Sequence, residues 1–193
     1  MGLPKLLTID RASGQLLGVR QVPSPNQDAR PPGASIDLIV VHGIGLPPGQ
    51  FGGPWVEQFF LNRLPVDADP FFATIADLRV SAHVFIRRHG EIIQFVPFHA
   101  RAWHAGASSW RHRVACNDFS VGIELEGADD IAYTDAQYEQ LAAVIVALRA
   151  TYPTLSVEGL VGHSDVAPGR KTDPGPSFAW AQLQSQVDAL VSC

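Results

Sequence analysis

Every position of Leu38-Ile39-Val40-Val41 is apolar, where a strand with one wet face would alternate. The run predicts a central strand over about Ile36 to Val41, covered on both faces. Phe119 to Glu126 does alternate: Phe119, Val121, Ile123 and Leu125 share one face, and Ser120, Gly122, Glu124 and Glu126 share the other. Residues 80–86 and 91–96 read as two strands of a hairpin joined by Arg88-His89-Gly90. From Thr134 to Ala150 the period becomes helical. Tyr138, Leu141, Ala142, Ile145 and Leu148 form one apolar stripe, and Thr134 with Gln137 matches a capping box. A short helix is expected from Pro54 to Leu64, with proline in its first turn. Another is expected after Ser177, carrying Phe178, Leu183, Val187 and Leu190. Residues 1–35 predict a strand or two and then a polar, Pro-rich entry segment. With no internal repeat, low-complexity tract or linker, these elements predict one α/β domain over residues 1–193, a central mixed β-sheet flanked by helices.

Composition narrows the classes of function. A chain of 193 residues with 46% apolar and 17% charged residues can bury a sizeable core. Its net charge of −5 argues against a nucleic-acid partner, which needs a basic face. No run has the length of a membrane span or of a signal-peptide core, and Gly2 lacks the serine or threonine of a myristoylation signal. Two cysteines, Cys116 and Cys193, make no disulfide framework. The expectation is a cytoplasmic monomer with no membrane attachment.

The segment Gly162 to Gly175 carries the most chemistry. It holds His163, Lys171 and Asp173 among glycines and prolines, which predicts a loop and not a helix. His42 ends the apolar run of the central strand. Two imidazoles and a carboxylate from His42, His163 and Asp173 are a ligand set for catalytic zinc, which keeps one position open. Amide hydrolysis also needs a proton-carrying carboxylate and a cation for the oxyanion; Glu124 and Lys171 are the candidates. Each has a plainer alternative: a strand-end histidine bonded to backbone, a solvated carboxylate, a surface lysine. His83 reads as a core residue or a ligand-orienting one, and His104 as a pocket wall. His89, His99 and His112 read as surface residues, and Cys116 as a small half-buried residue.

Several stretches occur in a familiar order: His42-Gly43-Ile44-Gly45-Leu46-Pro47-Pro48-Gly49, Arg79-Val80-Ser81-Ala82-His83, Arg101-Ala102-Trp103-His104-Ala105-Gly106, Cys116-Asn117-Asp118-Phe119-Ser120, Gly122-Ile123-Glu124-Leu125-Glu126-Gly127, and Gly162-His163 through Lys171-Thr172-Asp173-Pro174-Gly175. Over about residues 18–187 the chain resembles the AmpD-type zinc amidases, a branch of the N-acetylmuramoyl-L-alanine amidases related to peptidoglycan recognition proteins. The resemblance implies zinc on His42, His163 and Asp173, catalysis by Glu124 and Lys171, and a small muropeptide as substrate in peptidoglycan recycling. It implies that Arg79 binds a stem-peptide carboxylate, as a guanidinium does well, with Trp103, His104, Gly43 and Arg113 also near the substrate. Two positions depart from the family. Gly43 stands where an asparagine is usual, so one polar contact is expected to be missing. Ala115 stands where an arginine is usual, and Arg113 or Arg111 is the candidate replacement. Competing readings are a module that binds peptidoglycan fragments without cleaving them, and a periplasmic amidase acting on intact wall.

Overall fold

The computed structural model describes residues 6–192. Met1 to Lys5 and Cys193 lie outside the described residues, and with them the start of the N-terminal segment and one of the two cysteines. A six-stranded mixed sheet runs in the spatial order Leu160–Gly162, Leu38–Ile44, Ser120–Glu126, Val84–Ile86, Ile92–Gln94, Arg20–Gln21. The first four strands are parallel. Val84–Ile86 and Ile92–Gln94 form the expected antiparallel hairpin, and Arg20–Gln21 joins the far edge in parallel.

The unbroken apolar run has its two-sided explanation. Ile39 and Val41 pack toward Leu141, Ile145 and Leu148, while Leu38 and Val40 pack toward Cys116, Phe119 and Val166. On one face lie the helices Asp135–Thr151 and Trp180–Val191. The first begins at Thr134 with the predicted capping box. The second starts two residues beyond Phe178, whose ring instead packs on Tyr133 and Tyr138 at 5.4 and 5.2 Å. The other face is rich in phenylalanine: Phe59, Phe60, Phe72, Phe85 and Phe95 are all buried there.

Other elements away from the sheet centre differ from expectation. The helix foreseen over Pro54 to Leu64 is only Trp55–Phe60, and Asn62 sits just beyond it at φ 57°, a conformation asparagine tolerates better than most residues. A helix not foreseen, Pro70–Ile75, starts where the Asp69 carboxylate accepts the Phe71 N–H and proline takes the first helical position. The entry segment contributes four short strands, Ile9–Asp10, Gln15–Leu16, Arg20–Gln21 and Gln27–Ala29. It also plants Arg30 in the interior. That guanidinium donates to the carbonyls of Phe98, Asn117, Asp118 and Ser120 at 2.8–3.2 Å, and burial pulls its pKa down to about 10.

Gln137 ties the long helix to the sheet. Fully buried, it donates from Nε2 to the carbonyls of Glu126 and Ile86 at 2.9 and 3.3 Å, and accepts the Thr134 N–H at 3.1 Å. Gln137→Leu strands those carbonyls and opens the cap. It is expected to cost about 2–3 kcal/mol of stability, read from the urea midpoint.

Candidate active site

Parallel strands place their carboxyl ends along one edge of the sheet, where open α/β folds build their sites. Glu124 lies directly opposite His42 in the pairing, and Gly162 lies opposite Val41. Three neighbouring strands therefore deliver His163, His42 and Glu124 side by side. The loop foreseen over 162–175 proves to begin with a single helical turn, His163–Val166. The Asp165 carboxylate accepts the Gly162 N–H at 2.7 Å and permits that turn, which ends before Pro168-Gly169. The chain then doubles back, and the Ser164 N–H donates to the Asp173 carbonyl at 3.0 Å, turning the Asp173 side chain toward both histidines.

One atom from each side chain meets at a point. His42 Nδ1 lies 2.9 Å from His163 Nδ1 and 3.3 Å from Asp173 Oδ2, and His163 Nδ1 lies 3.0 Å from the same oxygen. The far nitrogens are occupied elsewhere: His163 Nε2 faces the Ala105 carbonyl at 3.3 Å, and His42 Nε2 faces His104 Nδ1 at 2.9 Å. Two ring lone pairs and a carboxylate thus converge, which asks for a cation between them. A tetrahedral zinc with bonds of about 2.0–2.1 Å holds its ligand atoms about 3.3 Å apart, so small relaxations accommodate one. The three residues are positioned for a metal ion. Burial pulls the His42 pKa down to about 4, so the ring is neutral, as a ligand must be. Burial works against ionising Asp173, but the two histidines against its carboxylate outweigh it and hold the carboxyl well below its ordinary range.

Beside this cluster opens a cavity of about 170 Å³, with His104, Glu124, His163, Lys171 and Asp173 at its polar end and Phe59, Phe60, Leu78 and Val80 along an apolar wall. Glu124 Oε2 is sealed from bulk solvent and has no hydrogen-bond partner. Burial raises its pKa well above the ordinary 4.5, the charge of Asp173 adds to that, and the Lys171 ammonium opposes it. A buried carboxyl with an unclaimed oxygen, beside a cation site, is an arrangement for moving protons.

Residues 32–176 match the sequence profile of the N-acetylmuramoyl-L-alanine amidases. The chain belongs to this family. It is 58% identical over 174 residues to the 1,6-anhydro-N-acetylmuramyl-L-alanine amidase AmpD of Escherichia coli (strain K12), covering 90% of this chain and 94% of that protein. The AmpD of Haemophilus influenzae is 46% identical, covering 92% of this chain and 97% of the relative. The crystal structure of a selenomethionine derivative of AmpD superposes with a TM-score of 0.89 at 56% identity, over 93% of this chain and 98% of the other. The amidase AmiD from E. coli, in complex with anhydro-N-acetylmuramic acid-L-Ala-D-gamma-Glu-L-Lys, gives 0.58 at 29% identity, over 94% of this chain and 65% of that one.

The remaining candidates of this amidase fall in different places. Arg79 stands exposed between the wall residues Leu78 and Val80, with Nη1 on the carbonyls of Ala76 and Leu78 and no carboxylate partner among the described residues. Trp103 is half-buried and does not line the cavity; its side chain lies beside Asp28. Arg113 pairs with Asp37 at 2.7 Å and stacks on Phe119. Asp37 adjoins the amino end of the strand whose carboxyl end carries His42, so Arg113 sits at the opposite edge of the sheet. Its neighbour Arg111 forms, with His112, a tight turn of two residues with positive φ between the strands Ser109–Trp110 and Arg113–Val114. His104 is buried and contacts His42.

Gly43 has a physical reason. A Cβ there would lie 2.2 Å from the Tyr133 hydroxyl oxygen, and that hydroxyl donates to the carbonyl of Pro174, next to Asp173, at 3.0 Å. The space of a side chain at 43 is thus used by Tyr133 to brace the turn that presents Asp173. Tyr133 was not singled out from sequence, nor were Asn117, whose Oδ1 accepts the N–H groups of His104 and Ala105, and Ser120, which reaches His104. The one signal for Ser120 was its place on the polar face of the alternating strand.

Two expectations follow from this geometry. In the metal-free protein, Glu124 keeps its proton at pH values where the unfolded chain has lost it, so stability falls as pH rises above 4.5 toward the folded pKa. Glu124→Gln removes that dependence. Its melting temperature, followed by circular dichroism without metal, is expected to exceed wild type by about 2–4 °C at pH 8 and to lose the advantage toward pH 4. At Gly43, alanine is expected to cost about 1–3 kcal/mol by denaturant unfolding. Adding Tyr133→Phe removes the clashing oxygen, so the double variant is expected to be more stable than the sum of the two single losses.

Proposed function

We propose that this amidase hydrolyses the lactyl amide between 1,6-anhydro-N-acetylmuramic acid and the L-alanine of the stem peptide, with zinc as its metal, in the cytoplasmic recycling of peptidoglycan fragments. The observation that carries the reading is the meeting of His42, His163 and Asp173 beside the partnerless carboxyl of Glu124. The substrates named for the AmpD relatives give the sugar and the bond. The free, buried thiol of Cys116 accords with a reducing compartment.

Zinc in this site supplies Lewis acidity toward the carbonyl and toward water. The chain's own groups do the rest. Glu124 Oε2 takes a proton from the attacking water and returns it to the departing L-alanine nitrogen, which leaves as an amine. Its raised pKa favours holding that proton until the nitrogen takes it. Lys171, at the polar end of the cavity, faces the developing oxyanion with its ammonium. A cavity of about 170 Å³ houses the scissile amide and its nearest groups; the rest of a muropeptide then lies across the rim, where Arg79 offers a guanidinium to a peptide carboxylate. Since a carboxylate and not a sugar hydroxyl is the natural partner of that group, Arg79 belongs with the peptide half.

Mass spectrometry of zinc-loaded protein incubated with anhydro-muropeptide tests this directly. Wild type is expected to release free stem peptide, Glu124→Ala to slow release by about 10²–10⁴-fold while still binding, and Lys171→Ala by about 10²–10³-fold. Chelation is expected to abolish release and added zinc to restore it. A wild type that binds the muropeptide and never cleaves it is a binding module, and the proposal falls.

A further inference from the structure

His104 lines the cavity, as a pocket wall should, and its ring is also hydrogen-bonded on both nitrogens. These hydrogen bonds run in one direction only. The Ser120 hydroxyl donates to the Cys116 carbonyl at 2.6 Å, so its oxygen is left to accept from His104 Nε2 at 3.0 Å. With its proton on Nε2, neutral His104 offers Nδ1 as an acceptor, and the group 2.9 Å away is His42 Nε2. His42 must therefore carry its own proton on Nε2. That leaves Nδ1, the atom facing His163 and Asp173, with a bare lone pair. A serine on the central strand thus decides, through two imidazoles, which nitrogen of His42 meets the metal.

The surroundings hold His104 in this one role. Its ring lies nearly perpendicular to that of His42, with centroids 5.0 Å apart. Asn117 Oδ1 fixes its backbone by accepting the N–H groups of residues 104 and 105. A Cβ at Gly122 would come within 2.3 Å of His104 Cγ, so the ring occupies the space of the side chain that glycine lacks.

We propose that His104 is a positioning residue for the metal centre: through its Nδ1 acceptor it locks His42 in the tautomer and orientation that bind metal, with Ser120 setting the direction of the chain. The inference rests on the metal-site reading above. Groups that orient a metal-bound histidine typically carry about 10–100-fold in affinity.

The test is zinc affinity of the full-length chain by chelator competition, with the visible spectrum of the cobalt(II) form recorded beside it. Four proteins are compared: wild type, His104→Leu, His104→Asn and His42→Ala. Leucine fills the volume and offers no acceptor; the asparagine Oδ1 stands close to the position of Nδ1 and accepts from His42. His104→Leu is expected to bind zinc about 10–100-fold more weakly than wild type and to show an altered cobalt spectrum. His104→Asn is expected to recover most of both. Wild-type affinity in His104→Leu overturns the proposal, and so does an asparagine variant as weak as leucine, since lost packing alone would then explain the effect. If His104→Leu does not fold, Ser120→Ala takes its place: a several-fold loss supports the relay and an unchanged affinity overturns it. Wild type binding no better than His42→Ala would instead sink the metal site itself.

Discussion

A polar strand face buried inside the protein is the constraint around which this molecule is arranged. On the strand Ser120–Glu126, the residues between Val121, Ile123 and Leu125 turn away from the helices and into an interior that holds little water. Each polar group there must find a partner or remain costly. Ser120 spends its hydroxyl on a carbonyl and a ring, and Gly122 gives up its side chain to make room for that ring. Glu126 accepts N–H groups from Gly52 and Arg88, tying the glycine-rich loop after His42 to the sheet. Glu124 alone keeps an unpartnered oxygen. The exception in an otherwise satisfied row is where a reacting group can be received.

Electrostatics and topology reinforce one another here. Parallel strands bring two imidazoles and a carboxyl to one edge without any local sequence code, because each is simply the residue at or just past the end of its strand. Burial then keeps the His42 imidazole neutral and raises the pKa of Glu124 well above its ordinary value, while the carboxyl of Asp173, between the two rings, is held well below its own. Two carboxyl groups in one small site are shifted in opposite directions by what surrounds them: one lies against both rings, and the other keeps an oxygen without a partner.

Much of this was legible in the chain. The unbroken and alternating runs named the two central strands, because a full period of core contacts stands behind each pattern. The capping box placed the long helix to within a residue. His42, His163, Asp173, Glu124 and Lys171 could be nominated from a strand end, a Gly- and Pro-rich loop and the order of the family stretches, each beside a plainer alternative. What could not be read depends on pairings between distant segments. The partner of His104 is 62 positions away, and nothing near either residue announces the contact. Arg113 was put near the substrate by its proximity in sequence to Ala115, but a tight turn carries it to the other end of the sheet. The helical turn at His163 was hidden because glycine and proline on both sides outweigh four residues of local preference.

The buried guanidinium of Arg30 separates two boundaries that are easily confused. The family profile matches residues 32–176, yet Arg30 lies outside that match and holds four carbonyls, including those of Asn117 and Ser120, the residues that fix His104. At the other end, Leu183 and Val187 complete the core beneath the long helix. The portion of the chain that the family profile matches is therefore smaller than the portion that must fold together. A fragment trimmed to the matched stretch would retain every side chain assigned to the chemistry and lose part of the scaffold that aims them.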